Sequence, residues 1–151
     1  MEFQLAPAST AVSASFIAII AFILAMAFLF IWIAWASSRM AVAVDEGVLH
    51  VRVPMYGRSI PLSRVDLVSA SVVDLDASSR LRPRTRTNGI GLPGYGVGWF
   101  TLANGGKALL AVTDRKHVLH LPTRDGFDLL VSVREPRRVL EQLRQAGAGG
   151  A

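Results

Sequence analysis

From Ala11 to Ala36 the chain reads AVSASFIAIIAFILAMAFLFIWIAWA, 26 residues with no charge, no Pro and no Gly. Wound as an α-helix the run is roughly 39 Å long, enough to cross a hydrocarbon core of about 30 Å with some tilt. No other feature restricts the fold so strongly, because an apolar rod of this length needs lipid or a large protein shell around it. The 113 residues from Arg39 onward are too few to wrap it. They also carry nearly all the charge. Residues 1–38 hold only Glu2, whereas residues 39–151 hold all 16 Lys and Arg and 10 of the 11 acids, a formal +6. The expected organisation is an N-terminal flank (1–10), a transmembrane helix (11–38), a folded body (40–146) and a flexible tail (147–151). Ser9 or Thr10 caps the helix start. Trp32 and Trp35 fall at the headgroup layer, where amphipathic rings are favoured, and Arg39 follows as the first cation.

A secretory signal peptide is the competing reading. It requires a basic leading segment and an apolar run of about 7 to 15 residues. No Lys or Arg precedes this run and its length exceeds that range, so an uncleaved single-pass anchor is expected, although Ala34-Trp35-Ala36 imitates a cleavage site. Orientation follows the cations near each end of the span. Arg39, Arg52 and Arg58 all come after it, which places the N-terminus outside and the body in the cytoplasm. The absence of Cys fits a reducing compartment without requiring one.

The body reads as strands. Val48–Val53 (VLHVRV) alternates apolar and polar residues after an Asp45-Glu46-Gly47 turn, as a half-buried strand does. A second short strand begins at Ile60, and Leu67–Leu75 is β-rich. Tyr95–Leu102, Lys107–Thr113, Lys116–Leu121 and Phe127–Val133 follow, separated by tight turns at Asn104-Gly105-Gly106, Asp114-Arg115 and Thr123–Gly126. Strand, turn, strand in sequence predicts a meander. Glu135-Pro136 opens a last helix with Val139, Leu140 and Leu143 on one stripe and Gly147 as its stop. A single amphipathic helix after so many strands must cover a sheet or plug a barrel end. The fold class is mainly β: an antiparallel barrel or sandwich with a C-terminal capping helix, preceded by the transmembrane helix.

The second half of the body carries a resemblance. Arg86, Gly91, Pro93-Gly94-Tyr95, Gly98-Trp99-Phe100, Asn104-Gly105, Asp125-Gly126 and Glu135-Pro136 are similar to the pattern of bacterial pleckstrin-homology-like (PH-like) domains. It is closest over residues 84–144, and Glu135 stands where that pattern more often has Asp. The resemblance implies a PH-like domain of two roughly orthogonal sheets closed at one end by the last helix, in a membrane-anchored member of the family. Together with the span this places the chain in a bacterial inner membrane. No binding residue is carried over from the family.

Arg80, Arg82, Arg84 and Arg86 form the strongest charge feature, read here as a loop. In regularly extended chain their spacing of two puts all four on one side. Such a row suits the phosphates of an anionic phospholipid or the carboxylates of a protein partner; solvated loop arginines, with Arg86 paired inside the fold, are the plainer reading. Nucleic acid is not expected, because no aromatics interleave the row. The glycines at 89, 91, 94, 96 and 98 run into a strand rather than a helix, so they serve geometry and not phosphate binding. Tyr95, Trp99 and Phe100 add bulk there, with core packing as the first assignment. His117 and His120, three apart, face opposite sides of a strand. No metal site, cofactor or catalytic set is therefore expected, and Asp74 and Asp76 read as solvated acids at a strand end. The expected role is a non-enzymatic, membrane-anchored interaction module that presents its β-domain to another protein. The alternative is recognition of anionic headgroups at the inner leaflet.

Overall fold

The structure, a computed structural model, describes residues 10–37, 40–53 and 55–149. Ser9, Arg39 and the last two residues of the tail lie outside this set. The chain divides into two units, residues 1–38 and 39–151.

In the first unit a single helix, α1, runs over Thr10–Ser37. The stretch Val12–Trp35 is long and apolar enough to cross a membrane, and none of it is buried against protein. Its exposed side chains include Phe16, Ile17, Phe22, Ile23, Phe28 and Ile31, so no polar face interrupts the apolar surface. Trp32 and Trp35 lie near its end, 45% and 53% exposed.

Among the described residues, the second unit is built from nine strands and a helix. Strands β1 (Ala41–Asp45), β2 (Val48–Arg52) and β3 (Arg58–Pro61) form one antiparallel sheet. Glu46 and Gly47, both at positive φ, make the tight β1–β2 turn that Asp-Glu-Gly implied. A 3-10 turn at Leu62–Arg64 then leads to a second sheet. Its strands are β4 (Ser71–Val73), β5 (Pro83–Leu92), β6 (Tyr95–Leu102), β7 (Lys107–Val112), β8 (Val118–Pro122) and β9 (Asp128–Ser132). The β-rich stretch 67–75 contributes only the three residues of β4.

The second sheet is not the expected meander. Its spatial order is β4-β8-β9-β7-β6-β5, with β9 inserted between β7 and β8 and parallel to β7. Turn chemistry shows that the chain reverses; it does not choose the neighbour. Here the β7–β8 connection steps over β9 and is pinned to it by Ser132. That hydroxyl accepts from the N–H groups of Thr113 and Asp114, each at 3.1 Å, and donates to the Asp114 carbonyl at 2.6 Å. The central strands β7 and β9 are buried on both faces, and accordingly read as unbroken apolar runs, Ala108–Val112 and Leu129–Val131.

Two cores result. Between the sheets, Leu49, Val51 and Ile60 pack with Val97, Leu109, Ala111, Leu119, Leu121, Leu129 and Val131. On the outer face of the second sheet, Phe100, Leu102, Ala108, Leu110, Val112, Val118 and Leu130 are covered by Leu75 and, in part, Leu81. The helix α2 (Pro136–Gly149) adds buried Leu140 and Leu143 to the first core, with Val139 half-buried beside them. Among the described residues the two sheets share no strand ladder, so the domain is an open sandwich and not a closed barrel. The helix also runs past Gly147. That glycine lies close against Leu67: a Cβ there would sit 2.5 Å from Leu67 Cδ1, so a larger residue would make that side chain shift. Arg144 completes the attachment by donating to the carbonyls of Leu67 (3.2 Å) and Ala70 (3.0 Å).

Candidate functional site

The arginine row does not lie in a simple loop. Residues 83–92 form β5, a ten-residue strand at the free margin of the second sheet, paired with β6. The register runs Pro83↔Leu102, Thr85↔Thr101, Arg86↔Phe100 and Asn88↔Trp99, with irregularities at Arg84 and Thr87. Each extra residue interrupts the alternation of faces. Arg84 is thus the additional residue of the first bulge, while Arg86 shares its face with Phe100. Arg80 and Arg82 precede the strand, held by their carbonyls, which accept from Asn104 (3.1 Å) and Ala103 (2.9 Å). All four side chains are exposed, and Arg82 also donates to the Asp76 carbonyl at 2.6 Å. The regular period-two row is therefore interrupted, and the four arginines form an irregular cationic margin.

The motif around residues 89–100 shapes that edge. Leu92-Pro93-Gly94-Tyr95 is a two-residue hairpin turn with Gly94 at φ 78°. Gly89 and Gly98 face each other in register at φ 146° and 114°, with their backbones in close approach. A Cβ on Gly98 would fall 2.6 Å from the Gly89 Cα and onto the Asn88 carbonyl oxygen. Glycine is obligatory there because the strands cross too tightly for a side chain.

Tertiary contacts add cations that spacing did not connect to this edge. Trp99 is half-buried on the inter-sheet face, with the Arg58 guanidinium 5.1 Å and the Lys107 ammonium 4.6 Å from its ring centroid. Phe127 meets Trp99 edge to face at 5.2 Å and 77°. Such cation–π contacts contribute about 0.5–1 kcal/mol at exposed sites, and they hold two mobile cations in place. Tyr56 donates to Asn88 Oδ1 at 3.0 Å, joining the segment before β3 to β5. By sequence alone Lys107 only opens a strand, Arg58 is a cation near the span and Trp99 adds bulk. The signal for their meeting is the strand pairing, which spacing along the chain does not carry.

The acids make pairs of their own. Asp125 pairs with Arg64 (2.8 Å), Asp76 with Arg115 (2.9 Å) and Glu135 with Arg138 (3.1 Å). Asp114 meets His117 at 3.4 Å, and its carboxyl is held below the usual value chiefly by the Lys116 backbone N–H. His120 Nε2 lies 3.0 Å from Asp128 Oδ2 on the outer face of the sheet, a contact across strands that sequence spacing did not reveal. Among the described residues, none of these ion pairs includes Arg58, Arg80, Arg82, Arg84, Arg86 or Lys107. No group of three or more His, Asp or Glu side chains is arranged to hold a metal among them.

The strand set, the glycine-supported hairpin and the closing helix agree with a comparison against protein-family models. The bacterial PH domain model matches residues 40–147, well over half of the chain. No curated protein matches, and no solved structure does. The body resembles, over its whole length, the fold that its second half suggested, and the chain belongs to the bacterial PH domain family.

Proposed function

We propose that this protein is a membrane-anchored, non-catalytic interaction module whose cationic β5 edge engages an acidic protein partner. The observation that carries the reading is the run of exposed arginines at 80, 82, 84 and 86 on and just before β5, with Arg58 and Lys107 held over Trp99 of the neighbouring strand β6. Among the described residues none of them has an ion-paired carboxylate. An uncompensated cluster of this kind attracts anionic surfaces and speeds encounter with them. The helix α1 keeps the domain beside a bilayer, with the N-terminus outside and the domain on the cytoplasmic side of the inner membrane, as the positions of Arg39, Arg52 and Arg58 favour.

A second reading, contact with anionic phospholipid headgroups, is favoured by the same exposed arginines combined with that anchor. Each basic residue near an anionic leaflet contributes about 1 kcal/mol. Purification of the intact protein from its native membrane separates the two. A stoichiometric protein, lost when Arg82 and Arg84 are both changed to Ala, supports the first reading; retained anionic lipid, lost in the same variant, supports the second. Because both side chains are exposed, the double change is expected to alter folding by less than about 0.5 kcal/mol. A well-folded double variant that keeps all its associates would refute the cationic edge as the binding surface.

A further inference from the structure

On the outer face of the second sheet, beside the cationic edge, a cavity of about 140 Å³ is lined by Phe100, Leu110, Val112, Leu75, Leu92 and Tyr95, with Gly91 and Gly96 as its thinnest walls. The two glycines are direct partners in the β5–β6 register. Neither has a positive φ, so backbone conformation does not demand glycine at either position. What they provide is room: a Cβ on Gly91 would touch the Phe100 ring at 3.4 Å, and one on Gly96 would touch Leu110 Cδ2 at the same distance. Glycine inside a strand sacrifices stability, and where the backbone is ordinary it marks the approach of something else. Gly91 is exposed and Leu92 is 49% exposed, so the cavity is reached from solvent along this side.

The size and rim restrict the occupant. A cavity of roughly 150 Å³ admits a molecule the size of benzene, whereas sites for larger small molecules occupy about 300–1,000 Å³. Lipid acyl chains are too long for such a space. One branched apolar side chain fits it. Two arginines stand near the rim, one of them ion-paired with an acid. Arg115 lines the cavity, its buried Nε 2.9 Å from Asp76 Oδ1 but not aligned for a hydrogen bond. Arg86 stands on the same face as Phe100 through their register pairing. We propose that this cavity seats one apolar side chain, of about leucine size, presented by an acidic segment of a protein partner. The proposal rests on the acidic-protein reading for its charge requirement and on the cavity itself for its apolar anchor.

Three labelled peptides test it against the full-length protein in uncharged detergent micelles, by fluorescence anisotropy. One has a central Leu flanked by Asp and Glu; the second replaces that Leu by Ala; the third keeps Leu but replaces the acids by Asn and Gln. The acidic Leu peptide should bind roughly tenfold or more tighter than the acidic Ala peptide, the ratio expected for burying one such side chain. Gly91→Leu, which puts a side chain into the opening, should erase that ratio while leaving the acidic Ala peptide unaffected. Gly91→Ala, whose Cβ makes only ordinary contact, should reduce it part-way and serves if the larger variant folds poorly.

Equal binding of the two acidic peptides would overturn the cavity proposal and leave the cationic-edge reading standing. So would a Leu advantage that survives Gly91→Leu. A Leu advantage that is lost in Gly91→Leu but indifferent to the flanking charges would keep the apolar seat and overturn the acidic character of the partner. Absence of binding by all three would overturn both.

Discussion

Truncating the buried stripe of α2 should give a graded loss of stability that follows burial. Leu143 is 1% exposed, Leu140 8%, and Val139 only half-buried. Leu→Ala in a core costs about 2–5 kcal/mol, more when the surroundings cannot collapse into the space. Relaxation is restricted here, because Arg144 anchors the helix to the Leu67 and Ala70 carbonyls and Gly147 is seated against Leu67. Leu143→Ala is therefore expected to cost about 3–5 kcal/mol, Leu140→Ala about 2–3 and Val139→Ala about 1 or less. A domain of this size has a stability of about 5–15 kcal/mol, so the largest of these removes a substantial share. Urea titration of the full-length protein in detergent measures the series, read by Trp99 emission after Trp32 and Trp35 are changed to Phe. The midpoints should fall in the stated order with an unchanged slope. Three variants within about 0.5 kcal/mol of one another, or Val139→Ala as the most damaging, would refute the docking of α2 as the seal of the inter-sheet core.

Gly98→Ala should cost about 3 kcal/mol or more, because its Cβ meets the Asn88 and Gly89 backbone, whereas Gly94→Ala, strained only by its φ, should cost about 1; thermal melts of the two distinguish them. Asp66 accepts from Ser69 and from the Val68 backbone N–H, which hold its carboxyl below the ordinary 3.8. A lowered folded-state value contributes stability that is present above 3.8 and lost as pH falls through the folded value, so urea midpoints measured down through pH 3 should drop less for Asp66→Asn than for the parent. With α1 in the bilayer, carbonate and high-salt washes should leave the protein in the membrane, and release by either would refute anchoring. A reporter fused after Ala151 should behave as cytoplasmic; protection from the cytosolic face would reverse the orientation and leave the fold unaffected.

Much of this protein was legible from local pattern. An uncharged run of 26 residues predicts α1, since no charged group is available to give it a wet face. The alternation in Val48–Val53, the Asp-Glu-Gly turn, the Asn104-Gly105-Gly106 hairpin and the Glu135-Pro136 helix start are all interactions within a few residues, and each occurs where the sequence put it. The sequence reads Arg80–Arg86 as a loop; the structure makes most of it an edge strand, where Pro and Arg are tolerated since one side of the backbone is free.

Tertiary structure decided which elements became neighbours. The insertion of β9 between β7 and β8 depends on burying two apolar faces at once and on the Ser132 hydroxyl, and no turn residue encodes it. The start of β5 at Pro83 and the bulge at Arg84 broke the regular alternation of the arginine row. The meeting of Arg58, Trp99 and Lys107, the His120–Asp128 contact and the glycine-walled cavity each join residues from different strands. Residue order determined the elements because hydrophobic period and turn preference act over one or two turns of chain. The site was decided by which strands pair and how the two sheets pack, a choice made by the whole sandwich and not by residues adjacent in the chain.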